Sequence, residues 1–351
     1  MDPVTDNKGF RISRAELDKW VASLIESATQ VIAPVERRGV RAFRVLDSAQ
    51  ELCLADGKTQ WSPKEFLFPR TESVFSYETL DGELKLSDPP PTSNDRVILG
   101  VRPCDASGLA CTDAVLGPDA IYAQRRARTV IVALTCPVAE PECFCASVGG
   151  APDGTDGSDV QLVPLADAFL VRSLTPRGEA LIAAGSKKWK AATDKDWAAA
   201  KAQGERVAHD MRGTQVARDW AKSLEARFES PAWRGLSRSC VGCSICTYVC
   251  PSCTCFNVED EGSAGCGSRC RSWDSCSYGL FTLHASGHNP RPDQASRYRQ
   301  RVLHKFSYYP EAHGGKNMCV GCGRCAKHCP VGLDIHEAVH AVMSKEASHA
   351  G

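Results

Sequence analysis

Cys240, Cys243, Cys246 and Cys250 are followed by Pro251, and Cys319, Cys322, Cys325 and Cys329 by Pro330. Both runs read C-x2-C-x2-C-x3-C-P, and few folds satisfy that spacing. Three thiolates two residues apart can wrap one face of an iron–sulfur cubane, while the fourth, on a different turn, points to a neighbouring cubane. A zinc site would use two C-x2-C pairs instead. The runs therefore predict two [4Fe–4S] clusters with exchanged fourth ligands. Cluster 1 takes Cys240, Cys243, Cys246 and Cys329, and cluster 2 takes Cys319, Cys322, Cys325 and Cys250. Gly242, Gly321 and Gly323 are expected to let backbone N–H groups approach the cluster sulfurs.

Sixty-eight residues separate Cys250 from Cys319, far more than two clusters require. This insert, 252–318, holds Cys253, Cys255, Cys266, Cys270 and Cys276 among many Arg, His and aromatic side chains. No second complete ligand spacing occurs there, so the spare cysteines read as buried packing around the clusters. A docking surface or an extra cluster is the other reading, and the role of these five cysteines stays open.

A further constellation lies nearer the N-terminus. Val97–Val101 and Thr129–Leu134 read as strands buried on both faces. Cys104 directly follows the first, Cys136 the second, and Cys143 and Cys145 come just after. If the strands are parallel neighbours, four thiols converge at their carboxyl ends, where open α/β sheets place ligands. A third [4Fe–4S] cluster is expected on Cys104, Cys136, Cys143 and Cys145, the alternative being packing cysteines. Cys111 falls in the following helix and is expected in the core.

The rest of the chain suggests the frame. Ser13 and Glu16 form a capping box before Leu17, Trp20, Val21, Leu24 and Ile25 at helical spacing. Phe43–Leu46 reads as another strand, and 160–163 with 169–174 as a strand pair. Pro- and Asp-rich stretches at 87–91 and 149–158 read as loops. From about 178 to 228 the composition turns helical. The fold class expected is mixed, α+β or α/β. An α/β domain (1–176) with the strand-end cluster leads through a helical connector (177–236) to a two-cluster ferredoxin-like domain (237–351).

Lys plus Arg and Asp plus Glu are both 42, so no basic excess points to nucleic acid. The run Arg125-Arg126-Ala127-Arg128 reads as a solvated face. The start, MDPVTDNKGF, lacks a basic segment before an apolar one, and no run of 18 apolar residues occurs. Nineteen cysteines in such a chain suit metal in a reducing cytoplasm better than disulfides. No G-x-G-x-x-G after a strand, no G-x-S-x-G and no H-E-x-x-H is present. No flavin or nucleotide site and no catalytic residue are therefore expected on this chain alone.

Several stretches carry a family resemblance: Ser62-Pro63-Lys64-Glu65-Phe66-Leu67-Phe68-Pro69, Gly100 to Asp105, Cys143-Phe144-Cys145, Trp273-Asp274-Ser275-Cys276, Ala285-Ser286-Gly287-His288-Asn289-Pro290-Arg291 and the two cysteine runs. The chain resembles the β, electron-transfer, subunit of soluble multisubunit [NiFe] hydrogenases of the sulfhydrogenase type, a family that includes the corresponding subunit of anaerobic sulfite reductase. The resemblance implies a non-catalytic subunit of an oxidoreductase complex. It would relay electrons between the hydrogenase small and large subunits and a flavin- and NAD(P)-linked partner. Three alternatives stand beside it: the equivalent subunit of a sulfite reductase or another flavin-linked complex, an enzyme with a substrate site near Arg102, Lys64 and Asp105, and a cluster-bearing scaffold.

Overall fold

The computed structural model describes residues 8–211, 213 and 220–344. Twelve strands are present among them: β1 (Phe10–Ile12), β2 (Gln30–Arg37), β3 (Val40–Val45), β4 (Thr71–Leu80), β5 (Glu83–Ser87), β6 (Arg96–Val101), β7 (Thr129–Leu134), β8 (Val160–Pro164), β9 (Phe169–Ser173), β10 (Lys190–Ala191), β11 (Phe256–Ser263) and β12 (Cys266–Trp273). They form an eight-stranded sheet, β10-β1-β9-β8-β7-β6-β2-β3, and a four-stranded sheet, β11-β12-β4-β5. The fold is mixed α/β.

The centre of the large sheet, β2-β6-β7-β8, is parallel, and alternation explains its burial on both faces. Val31, Ala33, Val97, Leu99, Val132 and Leu134 face one core, which helix α1 (Arg14–Glu26) covers with Leu17, Trp20, Val21 and Leu24. Ile32, Ile98, Val101 and Ile131 face the other, filled by Leu109 and Leu116 of helix α2 (Pro103–Leu116) and by Phe68. The capping box of Ser13 and Glu16 starts α1 as expected. At Gly100 (φ +80°) the β6–β7 register shifts by one residue. This bulge turns Val101 to the second core and aims the Arg102-Pro103-Cys104 turn off the sheet's carboxyl edge.

Helices Pro176–Ser186 and Asp194–His209 fall in the expected helical stretch, with β10 between them. Residues 212 and 214–219 of that stretch lie outside the described residues.

The small sheet joins distant parts of the chain. The insert folds into the hairpin β11–β12, and β12 pairs antiparallel with β4, setting Arg271 opposite Glu72. Glu72 accepts from Arg271 at 2.6 Å and from Arg125 at 2.7 Å, and Arg271 also reaches Asp119 at 2.7 Å. Arg125 is thus part of a buried bridge, and Arg126 pairs with Asp113, so only Arg128 of that basic run fits a solvated face. Glu72→Ala would leave the buried Arg125 guanidinium without a carboxylate and Arg271 with Asp119 alone, and the expected loss is about 3 kcal/mol. Anaerobic urea unfolding would measure it, and a loss under about 1 kcal/mol would contradict this role for the bridge.

Two of the resemblance stretches meet at this junction. The Trp273 indole donates to the Phe68 carbonyl at 3.1 Å and stacks on the Phe68 ring at 5.9 Å. Lys64 lies over the Trp273 ring, 4.1 Å from its centroid. Among the described residues no helix is long and apolar enough to cross a membrane.

Candidate iron–sulfur centres

The sheet delivers the strand-end cysteines as parallel neighbours should. β6 and β7 are adjacent and parallel, so Cys104, in the first turn of α2, and Cys136, two residues past β7, leave the same edge. The long β7–β8 connection returns Cys143 and Cys145 to that edge. All four thiols line one cavity with Lys58, Arg102, Met211 and Cys322. Arg102 staples the edge through three backbone carbonyls, donating to Thr135 at 2.8 Å, Ala55 at 2.8 Å and Gly57 at 3.0 Å. Lys58 donates to the Cys143 sulfur at 2.8 Å and pairs with Glu140 at 3.0 Å. That Glu140 partnership, with a backbone bond from Lys58, pulls the carboxyl down to about 2. Burial pushes the Cys136 thiol up to about 11 and Cys145 up to about 12, so ligation there has to displace protons. A buried ammonium on a thiol, in a cavity lined by four thiols, suits an anionic, sulfide-bearing group.

A second cavity gathers Cys240, Cys243, Cys246 and Cys329, with Cys325, Tyr298 and Arg301 on its wall. Three thiols of the first run thus share a cavity with two of the second, Cys325 and Cys329. Ser244 sits in the left-handed region at φ +64°, its hydroxyl buried without a partner. Arg301 lacks a partner at one terminal nitrogen while the other donates to the Cys246 carbonyl at 3.0 Å. Two idle buried donors in a thiol-lined cavity again match a group presenting sulfides. Gln294 donates to the Cys240 sulfur at 3.1 Å, and the Leu333 N–H to Cys329 at 3.2 Å.

Cys319, Cys322 and Cys325 lie between the two cavities, each within electrostatic reach of Cys250. Burial raises all three thiols, Cys325 to about 12. Lys305, itself buried, donates to the Cys250 sulfur at 3.4 Å and holds that thiol down together with a bond from Cys253. Arg301 and Lys305 stand four residues apart. Helix Gln294–Leu303 passes into a π-turn at His304–Tyr308, a distortion frequent at functional sites.

The glycines of the second run have a role the spacing did not suggest. Gly321 and Gly323 have positive φ, yet a Cβ on Gly321 would lie 2.5 Å from the Cys145 backbone, and one on Gly323 2.2 Å from the Glu142 carbonyl. Their smallness lets the 142–145 loop sit on the second run, where the Phe144 N–H donates to the Gly321 carbonyl at 2.9 Å. Phe144 fills the C-terminal apolar core beside Val302, Ile335 and Val339.

Other expectations shift. Lys64 sits by Cys253, away from the strand-end cavity, and donates to the Cys253 carbonyl at 2.7 Å. Asp105 is taken up by Arg324 of the second run, at 2.6 and 2.8 Å. Cys111 is fully buried, as expected. Cys266 and Cys270 lie on β12, opposite Ser263 and Glu259. Cys253 lies beside Cys250, and Cys255 beside Cys253 and Cys276. Lys58 carries no motif, and nothing in the sequence marks it out.

Two comparisons fit this geometry. A family model described as a 4Fe–4S dicluster domain matches residues 239–333. The "Sulfhydrogenase 2 subunit beta" of Pyrococcus furiosus is 31% identical over 319 residues, 88% of this chain and 91% of that protein.

Proposed function

The chain belongs to the sulfhydrogenase β-subunit family, and from that premise we propose that it is the electron-transfer subunit of a hydrogenase-type complex. In this reading it links a flavin- and NAD(P)-binding subunit to the hydrogenase small and large subunits through three [4Fe–4S] sites. Bound in those sites, the clusters supply one-electron carriers.

The observation that carries the reading is contiguity. Cys322 is a wall of the strand-end cavity and Cys325 a wall of the cavity around Cys240. The middle thiol set therefore touches both outer sets, giving an order from strand end through the second run to the first. Lys58, Arg324, Lys305 and Arg301 place positive charge along this line. Such charge favours the more reduced, more anionic state of whatever the thiols hold. Arg102 and Asp105 are bound internally, so the chemistry left at the strand-end cavity is that of its thiols and Lys58.

Each end of the line has an outlet. The strand-end thiols Cys104 and Cys145 border a groove with Gly149, Gly150, Lys316 and Cys319. At the other end Cys243 is exposed. The two partners are assigned to these ends.

The test uses the full chain purified anaerobically with its partners. Iron should reach at least about twelve per chain, and Cys136→Ser should remove about four while sparing the dicluster domain. Mass spectrometry of the native complex should find a flavoprotein and a nickel-containing protein. An iron content that Cys136→Ser leaves unchanged would remove the strand-end site, and a sirohaem protein in place of the nickel protein would move the chain to the sulfite reductase branch.

A further inference from the structure

Of the seven cysteines outside the relay, three, Cys253, Cys255 and Cys276, lie at the base of the β11–β12 hairpin. Cys255 directly precedes β11 and Cys276 follows β12 by three residues, while Phe256 and Trp273 pair in the ladder between them. The Asp274 N–H donates to the Cys255 carbonyl at 3.0 Å and closes the base. The Cys255 and Cys276 thiols are electrostatic neighbours, and so are those of Cys253 and Cys250. Cys253 and Cys276 are buried, and Cys255 is partly exposed.

Basic side chains are buried around this place without carboxylate partners among the described residues. Lys64 is 2% exposed, and among the described residues its ammonium meets the Cys253 carbonyl and the face of Trp273. Arg301 and Lys305 are similarly buried beyond it. Among the described residues no carboxylate pairs with any of the three, and the buried Asp105 is committed to Arg324. Arg301 and Lys305 face the thiols of the relay. Lys64 faces Cys253, Cys255 and Cys250. Burial works against the Lys64 ammonium, and negative charge on Cys253, Cys250 and Cys255 works for it, so thiolates at this place would keep the lysine charged.

We infer that Cys253, Cys255 and Cys276 ligate an additional iron–sulfur cluster, with Lys64 as its counter-charge, on a branch that meets the relay at Cys250. Three thiolates hold three irons, leaving any fourth iron to a non-thiolate ligand. A single zinc ion fits less well. Among the described residues no three His, Cys, Asp or Glu side chains close around one point, whereas each cluster thiolate needs only its own iron. A disulfide would use two of the thiols and leave Lys64 without an anion.

The inference goes beyond the three-site relay and is tested apart from it. Native mass spectrometry of the anaerobic full chain counts clusters, for wild type, Cys136→Ser and Cys276→Ser. The expected counts are four, three and three. A wild-type count of three that Cys136→Ser leaves unchanged and Cys276→Ser lowers supports this cluster and removes the strand-end one instead. A count that Cys276→Ser does not lower overturns the inference, as does a Cys255–Cys276 disulfide in unreduced peptide maps. If Cys276→Ser fails to fold, the first two proteins decide. Four clusters in wild type, or three that Cys136→Ser leaves unchanged, support the site. Two or fewer, or three falling to two in Cys136→Ser, overturn it. Lys64→Met should retain the cluster signal but lower its reduction potential, a spectroscopic shift that a purely structural lysine would not produce.

Discussion

Cys329→Ser should strip the cluster seated on the first cysteine run and leave the one on its own run in place. The chain would lose about four irons, and the surviving signal would be that of the set with Lys305 beside it. The reason lies in which turns face each other. The helix Arg324–Lys327 ends just before Cys329, and this turn carries the thiol away from Cys319 and Cys322 into the cavity of Cys240, Cys243 and Cys246. The reciprocal Cys250→Ser should spare the Cys240 set, because Cys250 lies under Lys305 and faces the second run. Iron analysis with low-temperature spectroscopy of both variants checks the pair. Loss of the cluster on the mutated residue's own run, in either variant, would show that each run closes on itself.

Charge placement makes the two losses distinguishable. The Cys240 set borders Ser244, Gln294 and one side of Arg301. The Cys319 set has Lys305 on Cys250 and Arg324 near Cys322. More cationic surroundings raise a reduction potential. The cluster remaining in Cys329→Ser should therefore be the easier of the two to reduce.

Much of this is legible in the sequence, and the reasons are local. Ligand spacing within 11 residues fixes the two runs whatever surrounds them. The apolar runs of β6 and β7 mark buried parallel strands, and the cysteines just past them are then carried to one edge by sheet geometry. The second sheet is not legible there, for an equally physical reason. β11 is exposed along its whole length and β5 likewise, so the short alternations Leu84/Leu86 and Phe256/Val258 mark no buried face. Their ladder is decorated by polar pairs across strands: Arg269 with Asp260, Ser76 with Ser268, Thr71 with Ser272. Hydropathy cannot see a sheet held by its backbone and by polar partners. It also cannot see that the insert returns to β4, because the pairing spans almost two hundred residues. Gly321 and Gly323 illustrate the same limit, since their neighbour is a loop from far upstream. The division of the chain at 176 and 236 thus cuts through contacts that tie the cysteine runs to the large sheet, and tests on the intact chain are the informative ones.

Asp105→Ala is expected to be among the most damaging changes outside the cysteines, at about 4 kcal/mol or more. Asp105 lies in the first turn of α2, next to Cys104, and Arg324 lies between Cys322 and Cys325. Their side chains are each 1% exposed and share two hydrogen bonds, at 2.6 and 2.8 Å. Arg324 also donates to the Thr59 carbonyl at 3.0 Å, near the loop that carries Lys58. One guanidinium therefore registers three parts of the chain that each present a group to the thiol sites. Removing the carboxylate leaves that cation buried and uncompensated, where nearby thiols already resist ionisation. Replacing both partners by apolar residues, Asp105→Leu with Arg324→Met, removes the buried charge altogether and should recover much of the loss. The iron readout separates alignment from stability. If the pair sets register, the double variant regains urea resistance yet still holds the strand-end cluster poorly, because Cys104 and Cys322 no longer share a fixed neighbour. If the pair only stabilises, iron returns together with urea resistance. A cost under about 1 kcal/mol for Asp105→Ala would mean that water or a rotated Arg324 relieves the charge, and that Asp105 has no place in aligning the two domains.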